Sequence, residues 1–203
     1  MTLRLNNNNN NFASIDYVAD VETNSTITIP EGDGTIAMVG AAGGLAGNIS
    51  QATSLRLNDN FTNDDEVITG WQVPDTAAQV GGVGTQVTEA DGVFTLPSTG
   101  IWLVVFMGRA IAAGGDTTID VFTQMTQNGG TNWETIAQAG GGASGDDNAT
   151  CSMVSLTICD ITNTANDQFR FRTNSFETGS QLLGENNADN TRTSVLFLRL
   201  GDT

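Results

Sequence analysis

The chain has 203 residues, a formal net charge of −16, and neither lysine nor histidine. Its seven cationic side chains stand against 23 carboxylates, which excludes the positive surface that binds nucleic-acid backbones or anionic membranes. Without histidine and lysine, the usual general bases, Schiff-base formers and zinc ligands are missing, so we expect no enzyme activity and no cofactor.

Residues 1–39 are predicted to form an N-terminal attachment arm of short strands. TLRLN at residues 2–6 alternates between polar and apolar side chains, and so does STITIP at residues 25–30, which ends at a proline. Such strands offer too little apolar surface to fold alone, so we expect the arm to gain order against another protein. The side chains expected to make these contacts are Phe12, Ile15, Tyr17, Ile27 and Ile29.

A glycine-rich hinge, GAAGGLAGN at residues 40–48, separates the arm from a body at residues 49–203. The body shows short strand-like segments between Gly, Asn and Asp turns and no 3.6-residue apolar period, which indicates an all-β antiparallel sandwich or barrel. The predicted strands are 53–58, 66–72, 84–89, 92–96, 101–111, 117–127, 135–139, 150–160, 168–174, 180–183 and 193–200.

The segment GVFTLPSTGIWLVVFM, residues 92–107, contains a strand with two apolar faces. Residues 101–107 are apolar at every position, so Leu103, Val105 and Met107 line one face and the intervening side chains line the other. A sandwich strand normally turns one face to water. Leaving a second apolar face wet costs about 1.5–3 kcal/mol for each large side chain.

The C-terminal strand repeats this feature. In VLFLRL, residues 195–200, Leu196 and Leu198 lie on one face while Val195 and Phe197 lie on the other. Two doubly apolar strands predict a subunit interface. The alternative is that another segment of the same chain, such as the arm, covers them.

The sequence around this strand resembles the signature strand pair of the superfamily of tumour necrosis factor and the globular heads of complement. The matching positions are Gly92, Phe94, Pro97, Gly100 and Trp102, where Trp102 replaces the usual tyrosine. The likeness continues through residues 154–158, Asn166 and Asp167, where the family has Gly-Asp, and the final strand at 195–200. Extra residues before Asn166 leave the register of residues 158–170 open.

The resemblance implies a ten-stranded jelly roll that assembles as a compact homotrimer. By this likeness Trp102, Val104 and Phe106 face the core of the sandwich. The implied trimer interface consists of Leu103, Val105, Met107, Leu196 and Leu198.

The arm has a likeness of its own. FASIDYVADVETNSTITIPEGDG is similar to a short adaptor segment of structural proteins from marine phages, with the match at residues 14–18 and 26–30. An adaptor-like arm joined to a trimeric jelly roll implies a virion protein made in the host cytoplasm. The first residues, MTLRLNNNN, lack the apolar run of a secretory signal, in keeping with that expectation.

We therefore expect a phage capsid decoration or cement protein that binds itself and other virion proteins, most simply those of the capsid. The alternatives are a tail-fibre tip that binds a host-surface glycan and a cell-derived signalling ligand of the same fold.

Acidic loops at residues 63–66, 145–147 and 185–189 leave calcium binding open, although none matches the spacing of a known calcium loop. Cys151 and Cys159, eight residues apart on one predicted strand, lie about 26 Å apart, too far for a disulfide.

Overall fold

The computed structural model describes residues 2–6, 12–16, 49–74, 79, 81–142, 149–186 and 190–203, with side chains from residue 49 onward. Its regular elements are all strands. In the described part of the chain, no helix has the length and hydropathy of a membrane span. The chain divides into two compact units, Met1–Ala46 and Gly47–Thr203.

The described residues of the first unit, 2–6 and 12–16, form an antiparallel strand pair. Strand β1 (Thr2–Asn6) pairs with β2 (Phe12–Asp16), and Leu3 lies opposite Ile15. Two of the predicted arm contacts, Phe12 and Ile15, therefore belong to β2. The other three, at positions 17, 27 and 29, lie outside the described residues, so the contacts of the arm stay a prediction.

The second unit is a sandwich of two antiparallel sheets, which confirms the predicted fold class. The strands are β3 (Ala52–Leu57), β4 (Trp71–Gln72), β5 (Gly82–Val83), β6 (Thr88–Ala90), β7 (Val93–Thr95), β8 (Gly100–Ala112), β9 (Thr118–Gln127), β10 (Glu134–Gly142), β11 (Ala149–Ile161), β12 (Asp167–Asn174), β13 (Gln181–Leu182) and β14 (Ser194–Gly201). One sheet has the order β11-β8-β14-β3-β4, with β5 and β13 added at β3 and β8, and the other has the order β10-β9-β12-β7-β6.

The described body has twelve strands rather than the expected ten, and three of the twelve are two-residue strands that pair briefly with β3 and β8. The strand predicted at residues 66–72 is wrong over most of its length. That segment crosses between the sheets: Val67 bridges Arg172 of β12, whereas Trp71 pairs with Leu57 of β3. Of the strand predicted at 84–89, only residues 88–89 belong to a strand, β6, and Gly84, with a φ of 66°, lies in the bend that follows β5.

The core between the sheets is aromatic. Phe94, Phe106 and Phe197 are fully buried, and Phe171 contacts the rings of all three at centroid distances of 5.4–6.4 Å. Trp102 is also fully buried, as predicted, and its indole Nε1 donates a hydrogen bond to the carbonyl of Ser98. Offset and edge-to-face ring pairs of this kind add to the stabilisation that comes from burial alone.

The structure of two turns explains why glycine stands at position 92 and aspartate at position 167, two of the positions that resemble the tumour necrosis factor pattern. Gly92 has a φ of 80°, and a Cβ atom there would lie 2.6 Å from the carbonyl oxygen of Ile68, so the turn before β7 needs glycine. Asp167 is buried, and its Oδ2 accepts hydrogen bonds from the backbone N–H groups of Thr162 and Asn163 at 2.8 and 2.9 Å. These bonds close the turn from β11 to β12 and resolve the register that the sequence left open.

Both cysteines lie on the inward side of β11 as free thiols. Burial raises the pKa of Cys159, and burial together with the charge of Asp116 raises the pKa of Cys151. The folded chain therefore keeps both thiol protons to a higher pH than the unfolded chain does. This contribution to stability is complete below the ordinary thiol pKa and is lost as pH rises through the raised values.

Replacing Phe171 by alanine is expected to lower the free energy of unfolding by about 3–5 kcal/mol, because it empties the centre of the aromatic core. Chemical denaturation at one fixed protein concentration measures this change. Gln138→Ala, at an exposed position of β10, serves as the control and should change stability by less than about 0.5 kcal/mol. Equal losses in the two variants would contradict the assignment of the core.

The thiols should react slowly with a disulfide reagent at pH 8, because the thiolate is the reactive form and the fold disfavours it. We expect the urea-unfolded chain to react at least several times faster, with Cys151→Ser and Cys159→Ser separating the two sites. Equal rates for the folded and unfolded chains would show that neither thiol is protected.

Candidate functional site

The outward side of the larger sheet is apolar across three neighbouring strands. Alternate residues of β8, β11 and β14 point away from the core, and eight of them form what we call the apolar face. Its members are Leu103, Val105, Met107, Val154, Leu156, Ile158, Leu196 and Leu198.

The register of the strands makes this face continuous. In one row Leu156 lies opposite Val105, and Val105 lies opposite Leu196. The next row joins Ile158, Leu103 and Leu198 in the same way. Because neighbouring strands are about 4.8 Å apart, these side chains touch both across and along the sheet.

The apolar face is open to solvent in a single chain. The exposed fractions are 65% for Leu156, 62% for Ile158, 59% for Val154 and 43% for Met107. Aliphatic side chains scattered singly on a surface are ordinary, but a contiguous group of this size typically marks an interaction site.

The middle of strand β11, residues 154–158, is inverted relative to an ordinary sandwich strand. Its Ser155 and Thr157 point inward, and the Oγ of the buried Ser155 lies 3.1 Å from Oγ1 of Thr123. Its Val154, Leu156 and Ile158 point outward, whereas Met153 and Ile161, on either side of this stretch, keep the ordinary orientation and are buried. A strand that places hydroxyls in the core and aliphatic groups outside indicates that its outer side becomes buried in an assembly.

A buried arginine marks one border of the apolar face. Arg56 of β3 is fully buried, and its guanidinium donates to the carbonyl oxygens of Glu185 at 3.0 Å and Asn190 at 3.3 Å. The backbone N–H of Glu185 in turn donates to the carbonyl of Leu57. Residues 183–186 and 190, which follow β13, therefore cover the sheet beyond Met107 and end the exposed apolar surface there.

The five residues predicted for the interface, Leu103, Val105, Met107, Leu196 and Leu198, all lie together on this face. Sequence reasoning missed its three most exposed members, on β11. The pattern VSLTI at residues 154–158 alternates, and alternation alone normally assigns the aliphatic residues to the core. The sequence contained one indication of their position. Both β8 and β14 have a second apolar face, and a neighbouring strand can extend that face with its own aliphatic side chains.

A cleft of about 480 Å³ lies where the edges of β10 and β11 separate, lined by Met125, Ile136, Cys159, Asp160 and polar residues of the 127–134 turn. In the described ranges, no three His, Cys, Asp or Glu side chains come close enough together to hold a metal ion. Residues 145–147, in one of the acidic loops considered for calcium, are not among those described.

No protein-family model matches the sequence, and no curated protein is similar to it. Solved structures are similar in fold. The structure of Eiger TNF from S. frugiperda has a TM-score of 0.50 at 18% identity, covering 77% of this chain and 90% of its own. Murine APRIL at pH 5.0 has a TM-score of 0.52 at 15% identity, covering 74% of this chain and 98% of its own. The body of the chain has a jelly-roll fold like that of tumour necrosis factor.

Proposed function

We propose that this chain is a homotrimeric, non-catalytic structural protein of a virus particle, with the apolar face at the centre of the trimer. The observation that carries the proposal is the inversion of β11, which turns Val154, Leu156 and Ile158 outward. Burying these side chains against a second copy stabilises the assembly by about 1.5–3 kcal/mol each. The resemblance to the tumour necrosis factor superfamily supports three copies rather than two.

Electrostatics favours an assembly whose centre is free of charge. Three copies at −16 each carry −48, so their acidic surfaces repel one another at low ionic strength. The apolar face itself contains no charged side chain. Association is therefore driven by burial of apolar surface and becomes stronger as salt screens the repulsion.

The place of the trimer on a particle is inferred from the arm. Residues 14–18 and 26–30 resemble a phage adaptor segment, and the body is a single compact head. We propose that the arm attaches the head to the capsid as a decoration or cement protein, and that the protein is made in the host cytoplasm. A tail-fibre tip is the alternative, and it predicts that the head alone binds host cells.

Replacing Leu156 by glutamate is expected to dissociate the trimer, because the interface would have to bury an unpaired carboxylate. We expect the association constant to fall on the order of 100-fold or more, equivalent to about 2.7 kcal/mol. Sedimentation should give the wild type a mass three times 21.2 kDa and the variant a mass near 21.2 kDa.

Gln138→Glu is the matched control, since it adds the same charge at an exposed position on the other sheet. It should leave the trimer intact. A wild-type monomer at micromolar concentration, or a Leu156→Glu variant that remains trimeric, would contradict the proposed interface. A wild-type dimer would contradict the threefold arrangement.

Deleting residues 1–39 should leave a soluble trimer that no longer co-sediments with virus particles. The body forms its own compact unit, so its fold should survive the deletion. A truncated protein that still decorates particles would refute the role of the arm. Binding of the truncated body to host cells would instead favour the fibre-tip alternative.

A further inference from the structure

The solvent side of the five-stranded sheet has a character opposite to that of the apolar face. Arg170 and Arg172 of β12 both point outward there, next to the partly exposed rings of Phe122 and Trp133. We call these four residues the arginine face. Because it belongs to the other sheet, it stays accessible when the apolar face is covered.

The guanidinium of Arg170 is fixed from two sides. Its Nε donates to Oε1 of Gln124 at 2.7 Å, and Nε2 of Gln124, which is itself buried, donates to Oγ1 of Thr135 at 3.2 Å. Its Cζ lies 4.3 Å from the centroid of the Trp133 ring. Stacking and the hydrogen bond together orient the group before any ligand arrives.

Arg170 has no carboxylate partner among the described residues, although the chain has 23 carboxylates. Its cross-strand neighbours are Gln124 and Val93, while Arg172 lies on the same side of β12 and pairs with Asp65 at 2.5 Å. Burial and the charge of Arg172 lower the pKa of Arg170. An oriented cation without an anion, in an otherwise acidic protein, is suited to an anionic ligand.

The surroundings favour an acidic sugar over an acidic peptide. A guanidinium fork binds a carboxylate through two parallel hydrogen bonds, and aromatic rings pack against the C–H faces of sugars. Gln168, Thr95 and Gln138 add neutral hydrogen-bonding groups suited to hydroxyls. Peptides instead bind at sheet edges, in grooves or in deep pockets, and the middle of a sheet face offers none of these.

We propose that the arginine face binds an acidic polysaccharide, with Arg170 holding the carboxylate of a uronic acid residue. Arg172 stays paired with Asp65, and the rings of Trp133 and Phe122 support the sugar. A trimer would present three such faces, so a long polysaccharide would bind with greater avidity than a short one. The inference does not depend on where the protein sits on a particle, nor on its oligomeric state.

The test is isothermal titration with short oligomers of galacturonate, guluronate and glucuronate, too short to bridge subunits. We expect at least one of them to bind the wild type, and Arg170→Gln to weaken that binding about tenfold or more. Arg170→Lys should also weaken it, because a lysine keeps the charge but lacks the planar fork. Arg192→Gln, which removes a charge paired with Glu185 elsewhere on the body, is the matched control and should bind normally.

Thermal unfolding of each variant checks that the fold is intact, and Arg170→Lys keeps the test valid if Arg170→Gln fails to fold. The proposal is overturned if none of the three oligomers binds at millimolar concentration, or if Arg170→Gln binds as tightly as the wild type. Equal affinity for a poly-glutamate peptide or for single-stranded DNA would also overturn it. Because short oligomers report on single sites, loss of the trimer would not obscure the result.

Discussion

The outward orientation of Val154, Leu156 and Ile158 is the constraint on which the organisation of this protein depends. Its cause lies inside the sandwich, where the buried hydroxyl groups of Ser155 and Thr123 share a hydrogen bond. Rotating β11 to bury Val154, Leu156 and Ile158 would break this bond and expose both cysteines together with the buried Met153 and Ile161. The apolar outer side of β11 is therefore a consequence of the polar groups on its inner side.

The two sheets have different outer surfaces, and these suit different partners. The larger sheet offers aliphatic side chains in register, which are suited to a copy of the same surface. The smaller sheet offers guanidinium groups, amides and partly covered rings, which are suited to a hydrated anionic ligand. Since the aromatic core lies between them, either surface can vary without disturbing the packing of the other.

Much of the fold was predictable, because a strand that is apolar at every position must be covered by other residues on both of its faces. Residues 101–107 and 195–200 had to be covered on both sides, and the structure brings their outer faces together. The β11 contribution was not predictable from the pattern of β11 itself, because alternation normally assigns the aliphatic side of a strand to the core, and only the second apolar faces of β8 and β14 pointed to it. Residues 66–72 were misassigned because local strand propensity does not reveal that a segment passes from one sheet to the other.

Strand β11 has a further consequence, for how the protein reaches its final state. It runs for 13 residues at the margin of its sheet, and no described strand pairs with its outer edge. Unpaired backbone beside a row of aliphatic groups is a template for irregular aggregation. A newly made chain therefore either associates with other copies through the apolar face or aggregates irregularly. The local concentration of folded copies decides which of the two processes is faster.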